Sequence, residues 1–550
     1  MIGNIDIVIS ILYIIGIVVI GLWAGLKKKP VGLGNESDEY FLAGKTLKWP
    51  MIGLALFATN ISCLHLVSLA QSGFDTGLLN GNFEWMAAIT LILLSLFFVP
   101  FYIKSKVATL PDFLEKRYNR ACRDWLAFIS IITAVVIHIA FSFLAGGIVL
   151  KTLFGVNMYV SVIVIALLTG LYTIIGGLRA VVITESIQTV VLLSGAIIIT
   201  VLCFNKVGGW SSITETLQAT NSMDKLSMLR PAGDASGMPW YSIFLGYPVL
   251  GIWYWCADQT IVQRVLGAKD KEHARIGPLF CGFIKILPVF IFVLPGLMAY
   301  VLAEKGLFDI SSLQSLGTDG KTITNTKGIY TLMITQLVPT GLVGILVAAL
   351  LSGLMSQISG ALNSIATLFS FDLYKRFKPE TSDLQLVKIG KLASGVALIV
   401  SIGLLPLLDK YESLFNGLND VIAHIAPPIT TVFLLGIFWK KASAKSAQYT
   451  LWIGSALGAA VFVLNKLQPD TTLGHIPFMM MAFYLFCTCV LMQVVFSYIY
   501  PVQHTAESDE LYWKTPLEPL SSKGWPGIGN YKLLSGLLLL IMAVLYWVFR

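Results

Sequence analysis

Charge is the scarcest commodity in this chain. Asp, Glu, Lys and Arg together make up 12% of its 550 residues, about half the share of an ordinary soluble domain. With 56% hydrophobic residues, that scarcity excludes a water-soluble globular protein. The seven cysteines (63, 122, 203, 256, 281, 487 and 489) fall within or beside apolar runs, so no disulfide framework is indicated. No cluster has zinc-ligand spacing, and there is no nucleophile elbow, Walker loop or dinucleotide fingerprint. Without a catalytic constellation, the sequence does not read as an enzyme. The first apolar run, Ile5–Leu26, lacks a preceding basic residue and exceeds a signal-peptide core; Lys27, Lys28 and Lys29 follow it, so it reads as a retained helix. The net charge of +8 fits basic cytoplasmic loops better than a nucleic-acid partner.

Apolar runs of spanning length recur to the end, which predicts an all-α polytopic membrane protein with about 14 transmembrane helices. They lie near 5–27, 51–73, 81–103, 124–150, 157–178, 181–204, 239–263, 276–303, 328–371, 388–408, 412–438, 446–465, 476–500 and 532–550. With both termini outside, the inward loops and their flanks hold 27 of the 38 Lys and Arg residues, against 10 outside and Lys285 in mid-span. That asymmetry follows the positive-inside rule and fits a multi-pass protein of a plasma (cell inner) membrane.

Polar residues interrupt the run 51–73 where leucines are expected: Thr59, Asn60, Ser62, Cys63 and His65. An unsatisfied polar group in hydrocarbon costs several kcal/mol, so such a segment lines a protein cavity or packs its polar groups against neighbours. A second interrupted run, 239–263, carries Gly246, Pro248 and Gly251 before Trp253, Tyr254, Trp255 and Asp258. It lies five spans later and therefore runs in the opposite direction. Two broken helices at matching places in two five-helix halves point to an inverted-repeat transporter with a midplane site. The division expected is a leading helix and loop (1–50), a first repeat (51–205), an extracellular loop (206–238), a second repeat (239–438) and three further helices (439–550) with a cytoplasmic linker at 501–531.

Glu84 and Lys285 are ionisable residues inside apolar runs, each costing about 2.5–3.5 kcal/mol to insert. Two readings stand: a salt bridge that holds the bundle, or a wet pair that hydrogen-bonds a polyhydroxylated ligand. Trp253, Tyr254 and Trp255 are either aromatic core or flat faces for a sugar's C–H surface. Ser352, Ser356, Ser359 and Asn363 share one helix face, as a close-packing stripe or as hard oxygen ligands for Na⁺. His138 and His424 read as satisfied core residues.

These residues sit in motifs that resemble the sodium:solute symporter family, in particular its sodium/glucose cotransporter branch. They are YFLAGKTLKWP (40–50), LFATNISCLH (56–65), NFEWM (82–86), IIGGLRAVVITESIQ (174–188), WYWCADQTIVQRVLGAKD (253–270), CGFIKILP (281–288), LNSIATLFSFDLY (362–374) and APPITTVFLLGIFWKK (426–441). The resemblance implies a leucine-transporter-like 5+5 inverted-repeat core and sodium-driven symport of a hexose, glucose- or galactose-like. A sugar sensor, a uniporter or a carrier of another polyol such as myo-inositol is the alternative. It implies sugar contacts at Asn60, His65, Glu84, Tyr254, Trp255 and Lys285, with Tyr254 as the inner-gate tyrosine. Sodium falls on the carbonyls of Ala58, Ile61 and Gly353 and the hydroxyl of Ser356. Three positions depart from the pattern. Gln357 stands where a second sodium-binding hydroxyl is usual; its amide oxygen is the expected substitute ligand. Asn419 stands for a sugar-contacting glutamine. Glu185 stands for an aspartate associated with an additional sodium in some relatives.

Overall fold

The protein is described by a computed structural model covering residues 3–26, 36–234, 236–316, 322–408, 414–468, 470–503 and 505–550. Among these, eleven helices are long and apolar enough to cross a membrane: Asn4–Leu26, His65–Lys104, Arg120–Phe154, Met158–Val207, Lys271–Glu304, Leu342–Phe377, Asp383–Gly403, Gly417–Phe438, Ala444–Leu467, Phe478–Ile499 and Tyr531–Val548. Two of them, His65–Lys104 and Met158–Val207, cover parts of two expected runs each. The second bends at Gly177, whose φ of 61° and ψ of −161° are open to glycine but strained for other residues. The 239–263 segment contributes no long helix, because it is broken into Trp240–Leu245, Tyr247–Ile252, the wide turn Trp253–Ala257 and Gln259–Leu266. The expected single run 328–371 is likewise divided, into Ile329–Leu337 and Leu342–Leu368 with a wide-turn extension Phe369–Tyr374. Outside the bundle, a two-stranded antiparallel ribbon pairs Gln314–Leu316 with Thr322–Thr324.

Leu342–Leu368 is the central post: nearly all of it is buried. The leading helix Asn4–Leu26 is tied to it at two levels. The buried Asp6 carboxylate accepts from the backbone N–H groups of Gly341 (2.8 Å) and Gly344 (2.7 Å), capping the post's N-terminus where a negative charge is favoured. Higher up, the Tyr13 hydroxyl meets Ser352 Oγ at 2.5 Å. The Ser352–Asn363 stripe is thus shared between helix ties and the site described below.

Without a hydrophobic drive between helices in lipid, close backbone approach does the packing, and small residues permit it. A Cβ on Gly296 would run into the Ala70 carbonyl, and one on Gly73 into that of Val293. These two glycines set the crossing of Cys63–Thr76 over Leu294–Glu304, and so fix where the first broken helix points. Gly296→Leu should therefore overpack the crossing by about 1–3 kcal/mol and lower the melting temperature of the purified protein in detergent. An unchanged melting curve would show that the crossing is not tight.

Candidate functional site

Three helices stop in the interior, and the site lies where they stop. Trp49–Asn60 ends because Ile61 (φ −81°, ψ 106°) and Ser62 (φ −101°, ψ 172°) are extended. Asn60 and Ser62 are residue types whose short polar side chains compete with the helical ladder. The chain restarts at Cys63, and His65 secures the restart: its Nδ1 accepts from the Ser62 N–H (3.3 Å) and lies 3.0 Å from the Ser62 hydroxyl. With Nδ1 accepting, the ring proton is on Nε2. The second break follows the wide turn Trp253–Ala257. Asp258 is extended (φ −89°, ψ 122°) and caps Gln259–Leu266, its Oδ1 accepting from Thr260 N at 2.7 Å. The Cys256 carbonyl freed there takes the Tyr102 hydroxyl at 2.6 Å. The third break was not expected. Lys271–Ile284 ends at Lys285, and Pro288 starts the next stretch, with the Ile286 carbonyl taken by Trp85 Nε1 at 3.3 Å. Its one visible signal in the sequence is that proline.

A cavity of about 80 Å³ lies among these breaks. Asn60, His65, Glu84, Tyr254, Trp255, Gln357 and Asn419 line it, with Phe83, Tyr247 and Ile137 among the apolar walls. Lys285 stands just behind. Its ammonium is 1% exposed, bonds the Glu84 carboxylate directly, and donates to Asn60 Oδ1 at 2.5 Å. It also sits 5.6 Å from the Trp255 ring and 5.8 Å from that of Phe57. Glu84 and Lys285 are therefore paired, with Glu84 in the cavity wall and Lys285 behind it. Phe83, Tyr247 and Ile137 went unremarked in the sequence, being apolar or aromatic residues in apolar runs.

Beside the first break, oxygen atoms gather. Ser356 Oγ donates to the Ala58 carbonyl at 2.8 Å and lies 3.2 Å from that of Gly353. Gly353 packs on the break itself: a Cβ there would be 3.0 Å from Cys63 N and 3.3 Å from the Ile61 carbonyl oxygen. The structure brings Ala58, Ile61, Gly353 and Ser356 together. Gln357 turns elsewhere. Its Oε1 accepts from the Ser142 hydroxyl at 2.9 Å, and its Nε2 lies 3.3 Å from His138 Nδ1. The expected fold-back of its amide to the Ser356 cradle is not what the structure has, because helix Arg120–Thr133 and its continuation present two better-placed partners. His138, read as an isolated core histidine, bonds Asp258 Oδ2 at 2.7 Å.

Glu185 is fully buried against Arg264, with Nη2 at 2.6 Å from Oε1 and Nε at 3.3 Å from Oε2, and Thr59 Oγ1 adds a bond at 3.0 Å. Both of its oxygens are engaged by a resident guanidinium.

Residues 40–454 match the sodium:solute symporter family. Sodium/glucose cotransporter 1 of Ovis aries is 33% identical over 475 residues, 83% of this chain and 71% of that protein. The sodium/mannose cotransporter of Bos taurus is 33% identical over 487 residues, 86% of this chain and 81% of that protein. Among solved structures, a Na⁺-coupled sialic acid symporter superposes with a TM-score of 0.77 at 23% identity, covering 92% of this chain and all of that one. A nucleobase-cation-symport-1 family transporter superposes with a TM-score of 0.51 at 13% identity over 87% of this chain and 99% of that one. The fold is thus one shared with these two transporters. On the length of the match and the identity to its relatives, this chain belongs to the sodium:solute symporter family, a multi-pass membrane protein that carries a solute together with Na⁺.

Proposed function

We propose that the solute is a hexose, bound in the cavity between the broken helices and released by alternating access of the two halves. The observation that carries this reading is the composition of the cavity wall. The Glu84 carboxylate with Lys285 behind it, three amides (Asn60, Gln357 and Asn419), a histidine Nε2–H and the Tyr254 and Trp255 rings surround one space. Hydroxyl groups want many convergent donors and acceptors, and a sugar's C–H face wants a flat amphipathic ring. The names of the sodium/glucose and sodium/mannose relatives point the same way. On this reading the sugar contacts are Asn60, His65, Glu84, Tyr254, Trp255, Lys285 and Asn419. Fourteen crossings arranged as a leading helix, two inverted five-helix repeats (51–205 and 239–438) and three further helices fit the broken segments described above, with both termini outside.

Sodium, on the same proposal, takes the Ala58, Ile61 and Gly353 carbonyls and the Ser356 hydroxyl. All are hard oxygen donors; the Ala58 and Ile61 carbonyls lie at the break in the first helix, a usual device for sodium at mid-membrane, and Gly353 and Ser356 face them from the unbroken central post. The Ser356 hydroxyl donates to the Ala58 carbonyl; to hold the ion it turns its lone pair toward it. Carrying one charge inward gains about 2.3 kcal/mol per 100 mV, enough to concentrate a neutral sugar more than tenfold. Uptake of radiolabelled glucose, galactose, mannose and myo-inositol into proteoliposomes, with and without an inward sodium gradient, tests the reading. A hexose accumulated only with sodium supports it; no accumulation of any of the four refutes the substrate class.

Removing Lys285 should cost more than one bond. Lys285→Ala leaves Glu84 buried and unpaired, which destabilises by about 3–5 kcal/mol. The double variant Glu84→Gln, Lys285→Met should recover expression and thermal stability while sugar affinity stays at least about tenfold weaker, since charged hydrogen bonds contribute about 1.5–3 kcal/mol each. Full recovery of sugar binding in the double variant would reduce the pair to a structural bridge.

Ser356→Ala removes the one side-chain oxygen of the sodium cradle. Sodium-driven uptake should fall to the sodium-free level while the protein still reaches the membrane. Sodium dependence that survives unchanged would move the ion elsewhere.

A further inference from the structure

The amide of Gln357 is held by a chain of bonds whose direction can be worked out. Asp258 takes the Thr260 N–H on one oxygen, so its other oxygen, 2.7 Å from His138 Nε2, accepts that ring's proton. The His138 proton is then on Nε2, and Nδ1 carries a lone pair. That lone pair faces Gln357 Nε2 at 3.3 Å and accepts from it. At the other end of the amide, Ser142 donates its hydroxyl proton to Oε1 at 2.9 Å. Each bond fixes the next, and the amide cannot flip without losing the His138 bond and setting its carbonyl oxygen against the Nδ1 lone pair. The side chain of His138 is fully buried and that of Asp258 almost so, so neither partner has water to turn to. One N–H and one carbonyl lone pair of Gln357 remain uncommitted by this chain, and Gln357 lines the central cavity.

We infer that Gln357 is a sugar-contacting residue that offers an oriented donor–acceptor pair to two neighbouring hydroxyls, and that Ser142 and His138 are its positioning residues. Asn419 lines the same cavity, so the sugar is met by two amides from different helices. Sodium is left to the cradle built from Ala58, Ile61, Gly353 and Ser356, without Gln357. This rests on the central cavity being the sugar site.

The test separates sugar from sodium. Sugar apparent KM and maximal rate are measured at saturating sodium in proteoliposomes with whichever hexose the wild type accumulates best. Sodium binding is measured apart, as ²²Na⁺ bound to the purified protein without sugar, because linked ligands shift each other's apparent affinities. Gln357→Met keeps the length and removes the amide; Ser142→Ala removes one bond and leaves the His138–Asp258 pair intact. Both should raise sugar KM, Ser142→Ala by about two- to tenfold as expected for one neutral hydrogen bond and Gln357→Met by more. Sugar-free sodium binding and maximal rate should hold. Ser142→Thr, which retains the hydroxyl, should restore the wild-type KM. Should Gln357→Met or Gln357→Ser instead change sugar-free sodium binding and leave sugar KM alone, Gln357 is an ion ligand and the inference falls. Unchanged values of both constants would also overturn it. If the wild type accumulates no sugar, the substrate reading itself has failed, and that outcome is distinct from either.

Discussion

A helix that stops inside a bilayer leaves carbonyl and amide groups with no water to receive them, and every such group must find a partner within the protein. That requirement organises this molecule. At each of the three breaks part of the debt is met by a side chain from elsewhere: His65 receives the Ser62 N–H, Tyr102 gives its hydroxyl to the Cys256 carbonyl, and Trp85 gives its indole N–H to that of Ile286. What remains open at the breaks is where ligands fit. At the first break the Ser356 hydroxyl meets the Ala58 and Gly353 carbonyls, with the Ile61 carbonyl packed against Gly353; this is the place proposed above for the ion.

What could be read from the sequence follows the same physics. A polar residue in a spanning run is conspicuous against leucine, so Asn60, His65, Glu84 and Lys285 stood out one by one, and the structure brings all four to the cavity or its edge. The broken helices were legible where glycine, proline or a polar run marked them. The break at Lys285 was not, because its only sign is Pro288, a residue that spanning helices also tolerate. Partnerships between distant positions left no local trace. His138 and Asp258 are 120 residues apart and Ser142 and Gln357 are 215 apart; nothing in the neighbourhood of any of the four announces the others. Gln357 is a case in point: its neighbour Ser356 argues for sodium, while the side chain's partners, Ser142 and His138, lie on another stretch of the chain.

Two of the three departures from the family pattern, Gln357 and Asn419, share a setting. Gln357 and Asn419 line one cavity, one with an amide longer than the hydroxyl usual there and the other with an amide shorter than the usual glutamine. Both therefore present an amide to the same space, one from the central post and one from Leu414–Phe438. Substrate choice among stereoisomers is a matter of donor position, since the hydroxyls of two hexose epimers differ in direction and not in number.

Two carboxylate–cation pairs are buried in this core, and their chemistry assigns them different work. Glu185 faces Arg264, whose planar fork engages both carboxylate oxygens while Thr59 adds a third bond. A guanidinium so placed engages both oxygens of the carboxylate; the pair ties Met158–Val207 to Gln259–Leu266, and Thr59 adds the first broken helix to the same joint. Glu84 faces Lys285, a compact ammonium with three rotatable donors, of which Glu84 and Asn60 take two. The carboxylate keeps acceptor capacity beyond the one ammonium bond. An incomplete pair in a low-dielectric pocket binds neutral polar groups strongly, because each new hydrogen bond is made to a charge already stripped of its water. Changing Lys285 to arginine would therefore be no conservative exchange: a planar fork would engage both oxygens of Glu84 and take up the acceptor capacity that the ammonium leaves open at the cavity.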